Sequence, residues 1–94
     1  MSNPAVEFPW EFVGNIGNDT LVHTGGCVLH NVVICSGGAA TVTIYDGVAA
    51  AGTIIAVIAL TNALPVTLHF DVACAIGIYC DFSAKAGNIT VSFE

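Results

Sequence analysis

The residues of this chain that could do chemistry are three histidines, four cysteines, a scatter of aspartates and serines, and one loop framed by glycines. His23, His30 and His69 could converge on a metal ion inside a small β-barrel. Enzymes built that way use a short His-x-His pattern with a Glu nearby, and the sequence contains none. His69 falls on the polar parity of its run, which predicts a solvated imidazole, so no metal site is expected. Asp46, Asp71 and Asp81 sit at three separate run ends, whereas paired-carboxylate glycoside hydrolysis needs two acids roughly 5–10 Å apart in one cleft. Asp46, placed before Gly47, reads as a turn residue that accepts backbone hydrogen bonds. Ser2, Ser36, Ser83 and Ser92 lack the G-x-S-x-G setting of a nucleophile elbow. The loop "GVAAAGT" places Gly47 and Gly52 at phosphate-loop spacing. Thr53 stands where the charge-neutralising Lys belongs, however, and the next run reads as a strand where a helix is required. The expectation is a protein that is not an enzyme and takes no cofactor.

Cys27, Cys35, Cys74 and Cys80 pose the choice between bridges, a zinc site and plain small apolar residues. Their spacings match no CxxC zinc pattern, and the start "MSNPAVEFPW" shows neither the positive n-region nor the continuous apolar stretch of a secretory signal. Reduced, buried thiols are therefore expected.

Composition narrows the partners. The chain of 94 residues is 55% hydrophobic and only 9% charged, with net charge −6 and Lys85 as its sole Lys or Arg. Ordinary domains carry about 25% charged residues. Contact with phosphates draws on several Lys or Arg, so neither nucleic acid nor an anionic membrane surface is an expected partner. The longest apolar window, Val48 to Leu60, is broken by Gly52 and Thr53 and falls short of the about 20 residues that span a bilayer. A small globule with so few charges needs either a Thr, Ser, Asn and Gly exterior or cover from another subunit.

These residues must be positioned by short strands. Turn signals recur every eight to twelve residues (Gly17-Asn18-Asp19, Gly25-Gly26, Gly37-Gly38, Asp46-Gly47, Asn62, Pro65, Gly87-Asn88), with β-branched runs between them. The predicted strands are Trp10–Val13, Thr20–His23, Cys27–Cys35, Thr41–Tyr45, Thr53–Leu60, Val66–Phe70, Ile76–Phe82 and Ile89–Phe93. This pattern predicts an all-β, antiparallel two-sheet sandwich, jelly-roll-like, of about eight strands. Residues 13–94 are expected to form one domain, and residues 1–12 an aromatic arm or first edge strand.

Most runs alternate cleanly, so that Val42 with Ile44, Val66 with Leu68 and Phe70, Ile76 with Ile78, Cys80 and Phe82, and Ile89 with Val91 and Phe93 are each expected on one inward face. Two runs do not. Cys27–Cys35 offers either Val28, Val32 and Ile34 or Leu29, Val33 and Cys35 to the core. Thr53–Leu60 opposes Ile54 and Ile58 to Ile55 and Val57, so both its faces require cover, one of them from a neighbouring loop or subunit. A wide loop is expected at Asp46 to Gly52. Phe8, Trp10 and Phe12 alternate on a proline-flanked segment and could share one face, either as a strand closing the core or as an anchor in a partner's groove. Phe8, Trp10, Phe12, Ile55 and Val57 are accordingly the candidate interface residues, and oligomerisation or docking is expected.

The succession "GGCVLHNVVI", "TVTIYDGVAAAGTIIAVIAL", "PVTLHFDV" and "GIYCDFSAKAGNITVSFE", covering about Gly25 to Glu94, resembles small virion proteins of tailed bacteriophages. The residues that carry the resemblance are structural. The resemblance implies a capsid decoration or cement protein, made in the host cytoplasm and bound to the capsid exterior. Its partners would be the major capsid protein and one or two further copies of itself, as a dimer or trimer. The alternative is a tail-associated β-sandwich module for receptor or glycan binding.

Overall fold

The computed structural model describes residues 10–94. Among these residues it contains the strands β1 (Glu11–Ile16), β2 (Thr20–Thr24), β3 (Cys27–Ser36), β4 (Thr41–Ala49), β5 (Ala51–Ala59), β6 (Val66–Cys74), β7 (Gly77–Phe82) and β8 (Asn88–Phe93), and no helix. They form two four-stranded antiparallel sheets with orders β1-β8-β3-β6 and β2-β7-β4-β5. The all-β sandwich expected from the turn spacing is the fold observed.

The strand order follows from one long hairpin wrapped around itself. Thr41 pairs with Ala59, Ile34 with Val66 and Thr20 with Cys80, and the members of each pair are equidistant from Ala50. The chain doubles back at Ala50, and the doubled ribbon rolls so that β3 also meets β8 and β4 also meets β7. Every connection except β4–β5 crosses from one sheet to the other, which is the jelly-roll arrangement.

Alternation decides which side of each sheet is buried. Leu29, Val32, Ile34, Ile89, Val91 and Phe93 face inward from the first sheet. Val42, Ile44, Ile78, Cys80 and Phe82 face them from the second. Val66 and Ile76, expected on the same inward faces, are instead exposed, because Val66 is the first residue of β6 and Ile76 precedes β7, where the two sheets no longer cover them. Each fully buried aliphatic side chain stabilises the fold by about 1.5–3 kcal/mol.

Three local expectations are corrected. The wide loop at Asp46 to Gly52 is absent. β4 runs on to Ala49 and β5 starts at Ala51, with register shifts between Ile44 and Tyr45 and between Asp46 and Ala49 absorbing the extra residues. Gly52 makes this tight reversal feasible at φ 134°, with its missing Cβ otherwise 2.9 Å from the Asp46 carbonyl oxygen.

In β3 neither expected parity holds. A register shift between Leu29 and Asn31 puts Leu29 on one side of the shift and Val32 and Ile34 on the other, all facing the core. In β5 the extra residue between Ala56 and Ile54 turns Ile55 inward with Ile58 and leaves Ile54 outward with Val57.

β6 also extends beyond Phe70 to Cys74, passing through Asp71 at φ 52°. Aspartate tolerates this left-handed conformation better than most residues.

Ile44→Ala removes a side chain that is 0% exposed at the centre of the inter-sheet contact. The expected loss is about 2–5 kcal/mol in urea denaturation. Val57→Ala, at 62% exposure, is expected to stay within about 0.5 kcal/mol of the parent.

Candidate functional site

Two surfaces outside the core carry the features that the fold alone does not require. The first is the outer face of the β2-β7-β4-β5 sheet. Leu21 pairs with Tyr79, Tyr79 with Tyr45, and Tyr45 with Ile54, so one unbroken row of large side chains crosses all four strands. Leu21 is 46% exposed and Ile54 54%, and Val57 stands beside the row, across from Thr43. Exposed apolar residues scattered singly are ordinary, whereas an aligned row of them is a feature that the fold alone does not require.

The edge that bounds this face adds to it. β5, "AGTIIAVIA", contains no charge and no proline, whereas the opposite sheet ends in β6 with His69 and Asp71. Charges and bulges on an edge strand resist pairing with other chains; β5 has the bulge at Ile55 but no charge.

The second surface lies on the outer face of the β1-β8-β3-β6 sheet and centres on His30. The shift in β3 that re-aims the core residues places His30 between Asp71 of β6 and Glu94 at the end of β8. Its Nδ1 lies 2.8 Å from Asp71 Oδ1 and its Nε2 lies 2.8 Å from Glu94 Oε1. The Trp10 indole stacks on the imidazole with centroids 3.7 Å apart and planes at 10°. A neutral imidazole has one donor nitrogen, so one of these contacts would set a lone pair against a carboxylate oxygen. The doubly protonated ring donates to both carboxylates and presents a cation to the indole. Burial pulls the His30 pKa down, and the Asp71 and Glu94 carboxylates outweigh it, leaving a net rise. The two carboxylates lie on opposite sides of the ring and do not converge on a point where a cation could sit. Among the described residues no group of His, Cys, Asp and Glu side chains has metal-holding geometry.

The remaining candidates are dispersed. His23 tilts against Phe93 with ring centroids 4.9 Å apart, and His69 is exposed. Asp46 does accept backbone hydrogen bonds, from a turn remote in sequence: its carboxylate takes the N–H groups of Ala75, Ile76 and Gly77 at 3.0, 2.9 and 3.3 Å. These bonds hold the Asp46 carboxyl below its ordinary pKa. Asp19 accepts the Phe82 N–H at 2.7 Å, and Asp81 lies opposite Thr43.

Cys35 is exposed, which corrects the expectation of four buried thiols. It follows the inward-facing Ile34 near the end of β3, so alternation turns it off the core. Cys80 is fully enclosed, and burial pushes its thiol up to about 12. An open depression of about 410 Å³ between the β3–β4 and β5–β6 connections is lined by Gly37, Gly38, Ala39, Thr61, Asn62 and Ala63. Its lining has no ionisable side chain.

The candidate interface residues lie on different parts of the molecule. Phe8 lies outside the described residues. Trp10, half exposed, is committed to His30, and Phe12, at 72% exposure, opposes Ser92 on the same sheet. Val57 is on the opposite sheet, and Ile55 packs into the core. The sequence reading missed Leu21, Tyr45, Tyr79 and Ile54 as a set, and missed the His30 clamp. Alternation marked Tyr45 and Tyr79 as outward-facing, gave Ile54 no clear side and left Leu21 unassigned, and only the strand register aligns the four.

Compared with protein-family models, curated proteins and solved structures, the chain has no match. No helix among the described residues is long and apolar enough to cross a membrane.

Two expected outcomes follow from this geometry. Because the His30 pKa is raised on folding, its contribution to stability is complete below the ordinary histidine value of about 6.5 and is lost as pH rises through the folded value. The melting temperature difference between the parent and His30→Gln should therefore shrink with rising pH. Fluorescence of Trp10, the sole tryptophan, should change over the same interval. Asp46→Ala should raise amide exchange at Ala75, Ile76 and Gly77 while leaving β3 and β8 protected, read by NMR.

Proposed function

We propose that this chain is a structural protein that works by adhesion and carries out no catalysis. Its site of action in this reading is the outside of a bacteriophage head. There it binds the major capsid protein, associates with further copies of itself as a dimer or trimer, and braces the joints between capsomers. The observation that carries the adhesive reading is the row Leu21–Tyr79–Tyr45–Ile54, bounded by the uncharged strand β5. The capsid as partner rests on the sequence resemblance described above.

Physical chemistry supports the pairing of this surface with that task. Two aromatic rings and two aliphatic side chains on rigid antiparallel strands lose little conformational entropy on docking. Burial of the row at each of many equivalent joints sums over a lattice, so weak single contacts reinforce a shell under internal pressure. With net charge −6 and one lysine, the chain is suited to a neutral or basic protein surface.

The test uses purified full-length protein and heads that lack it. The double substitution Ile54→Glu with Val57→Glu changes two exposed positions and should leave the fold intact by circular dichroism. It should weaken binding to the heads at least about tenfold, the equivalent of about 1.4 kcal/mol. Heads saturated with the parent protein should withstand heating that ruptures bare ones. Undiminished binding by the folded double variant would refute the role of this face. Absence of head binding by the parent, with adsorption to host envelope material instead, would replace the decoration reading with a tail-borne receptor module.

A further inference from the structure

Cys27 and Cys74 are direct partners in the β3–β6 ladder. Val28 exchanges both of its backbone hydrogen bonds with Glu94 on the other side of β3, at 2.8 and 3.0 Å. Cys27 therefore turns its own N–H and C=O toward β6, which makes Cys27 and Cys74 a hydrogen-bonded pair. The Cα atoms of such a pair are about 5.5 Å apart. Disulfide-linked cysteines have Cα separations of about 4.4–6.8 Å, most often about 5.5–6 Å, so the backbone already has the required spacing. Side chains of partners in one register project to the same face. Cys74 is buried and Cys27 packs half-buried against the same core. The other two thiols are placed differently: Cys35 is exposed and Cys80 is enclosed between the sheets.

We propose that Cys27 and Cys74 are an oxidation site, at which a low-molecular-weight disulfide converts the two thiols to one cross-strand disulfide. The more accessible Cys27 thiolate attacks one sulfur of the small disulfide. This forms a mixed disulfide and releases one small thiol. The Cys74 thiolate then attacks the Cys27 Sγ, forms the Cys27–Cys74 bond and releases the second small thiol. Two protein thiols are oxidised, one small disulfide is reduced to two thiols, and the two protein protons end on those thiols.

Burial raises the Cys27 thiol pKa, and burial together with Cys27 and Asp46 raises Cys74 to about 11. Thiolate is therefore scarce at neutral pH, and the exchange should be slow there and accelerate with rising pH. The bond would tie the edge strand β6 to the interior strand β3 around a loop that contains all of β4 and β5. In the setting of the proposed function, the chain would be made reduced and would acquire this staple after release into an oxidising medium.

The experiment takes the full-length chain with Cys35→Ser, which removes the exposed thiol, and incubates it folded with excess oxidised glutathione at mildly alkaline pH. The expected product has lost two of its three remaining thiols and retains no glutathione, and digestion yields one linked peptide pair containing Cys27 and Cys74. Adding Cys74→Ser should instead trap glutathione on Cys27. If that variant does not fold, Cys27→Ser in the same background serves, with the expectation that Cys74 and Cys80 remain free thiols. Persistence of all three thiols, stable glutathionylation of Cys27 while Cys74 is present, or a linked peptide that includes Cys80 would each overturn the proposal.

Discussion

Leu29, Val32, Ile89 and Val91 of one sheet lie against Val42, Ile44, Ile78 and Cys80 of the other, and this single apolar contact holds the molecule together. A chain of this length buries roughly 60–65% of its unfolded surface, so little of its stability comes from elsewhere. The rolled hairpin satisfies the constraint economically. Each half of the chain pairs with the other half about Ala50, and rolling the ribbon brings both apolar faces together. Polar side chains then secure the ends: Asp46 ties the β6–β7 turn to β4, and Asp19 ties β7 to the chain before β2. Gly77 lets three segments meet, since a Cβ there would press on the His23 and Gly47 carbonyl oxygens.

Once the inner faces are spent on each other, the outer faces have no structural duty, and their difference is informative. The β1-β8-β3-β6 face presents Ser92, Asn31, His69 and the charged clamp around His30, with the exposed Phe12 and Trp10 confined to its β1 side. The β2-β7-β4-β5 face presents a continuous apolar row and ends in an edge without a charge. An exposed apolar row of this kind costs solubility and risks aggregation, which is the physical ground for the adhesive role proposed above. The Trp10–His30 stack serves a different end, fixing the start of β1 on the polar face.

The fold was legible in the sequence because alternation and turn spacing act locally. All eight runs became strands, and Ile78, Cys80, Ile89 and Val91 faced inward as their parity required, whereas Val66 and Ile76 share that parity but lie exposed at strand ends. Alternation also misjudged the places where a strand gains a residue. Leu29 and Val32 both face the core, and Ile55 and Val57 face opposite ways, because register shifts in β3 and β5 reverse the parity midway. Such shifts are set by pairing with strands distant in sequence and leave no period-two signature. The same limit hid the candidate site. Leu21, Tyr45, Ile54 and Tyr79 belong to four separate strands, and only the ladder aligns them. His30 likewise meets Asp71 and Glu94 across 41 and 64 residues of chain.

The central claim is that the Leu21–Tyr79–Tyr45–Ile54 face exists to be covered. A reconstruction of phage heads saturated with this protein, at a resolution that separates strands, tests it most directly. The account predicts that this face and the β5 edge lie against capsid protein or a sister copy, with the His30 face toward solvent. A decorated head in which the apolar face points outward and uncovered would contradict it.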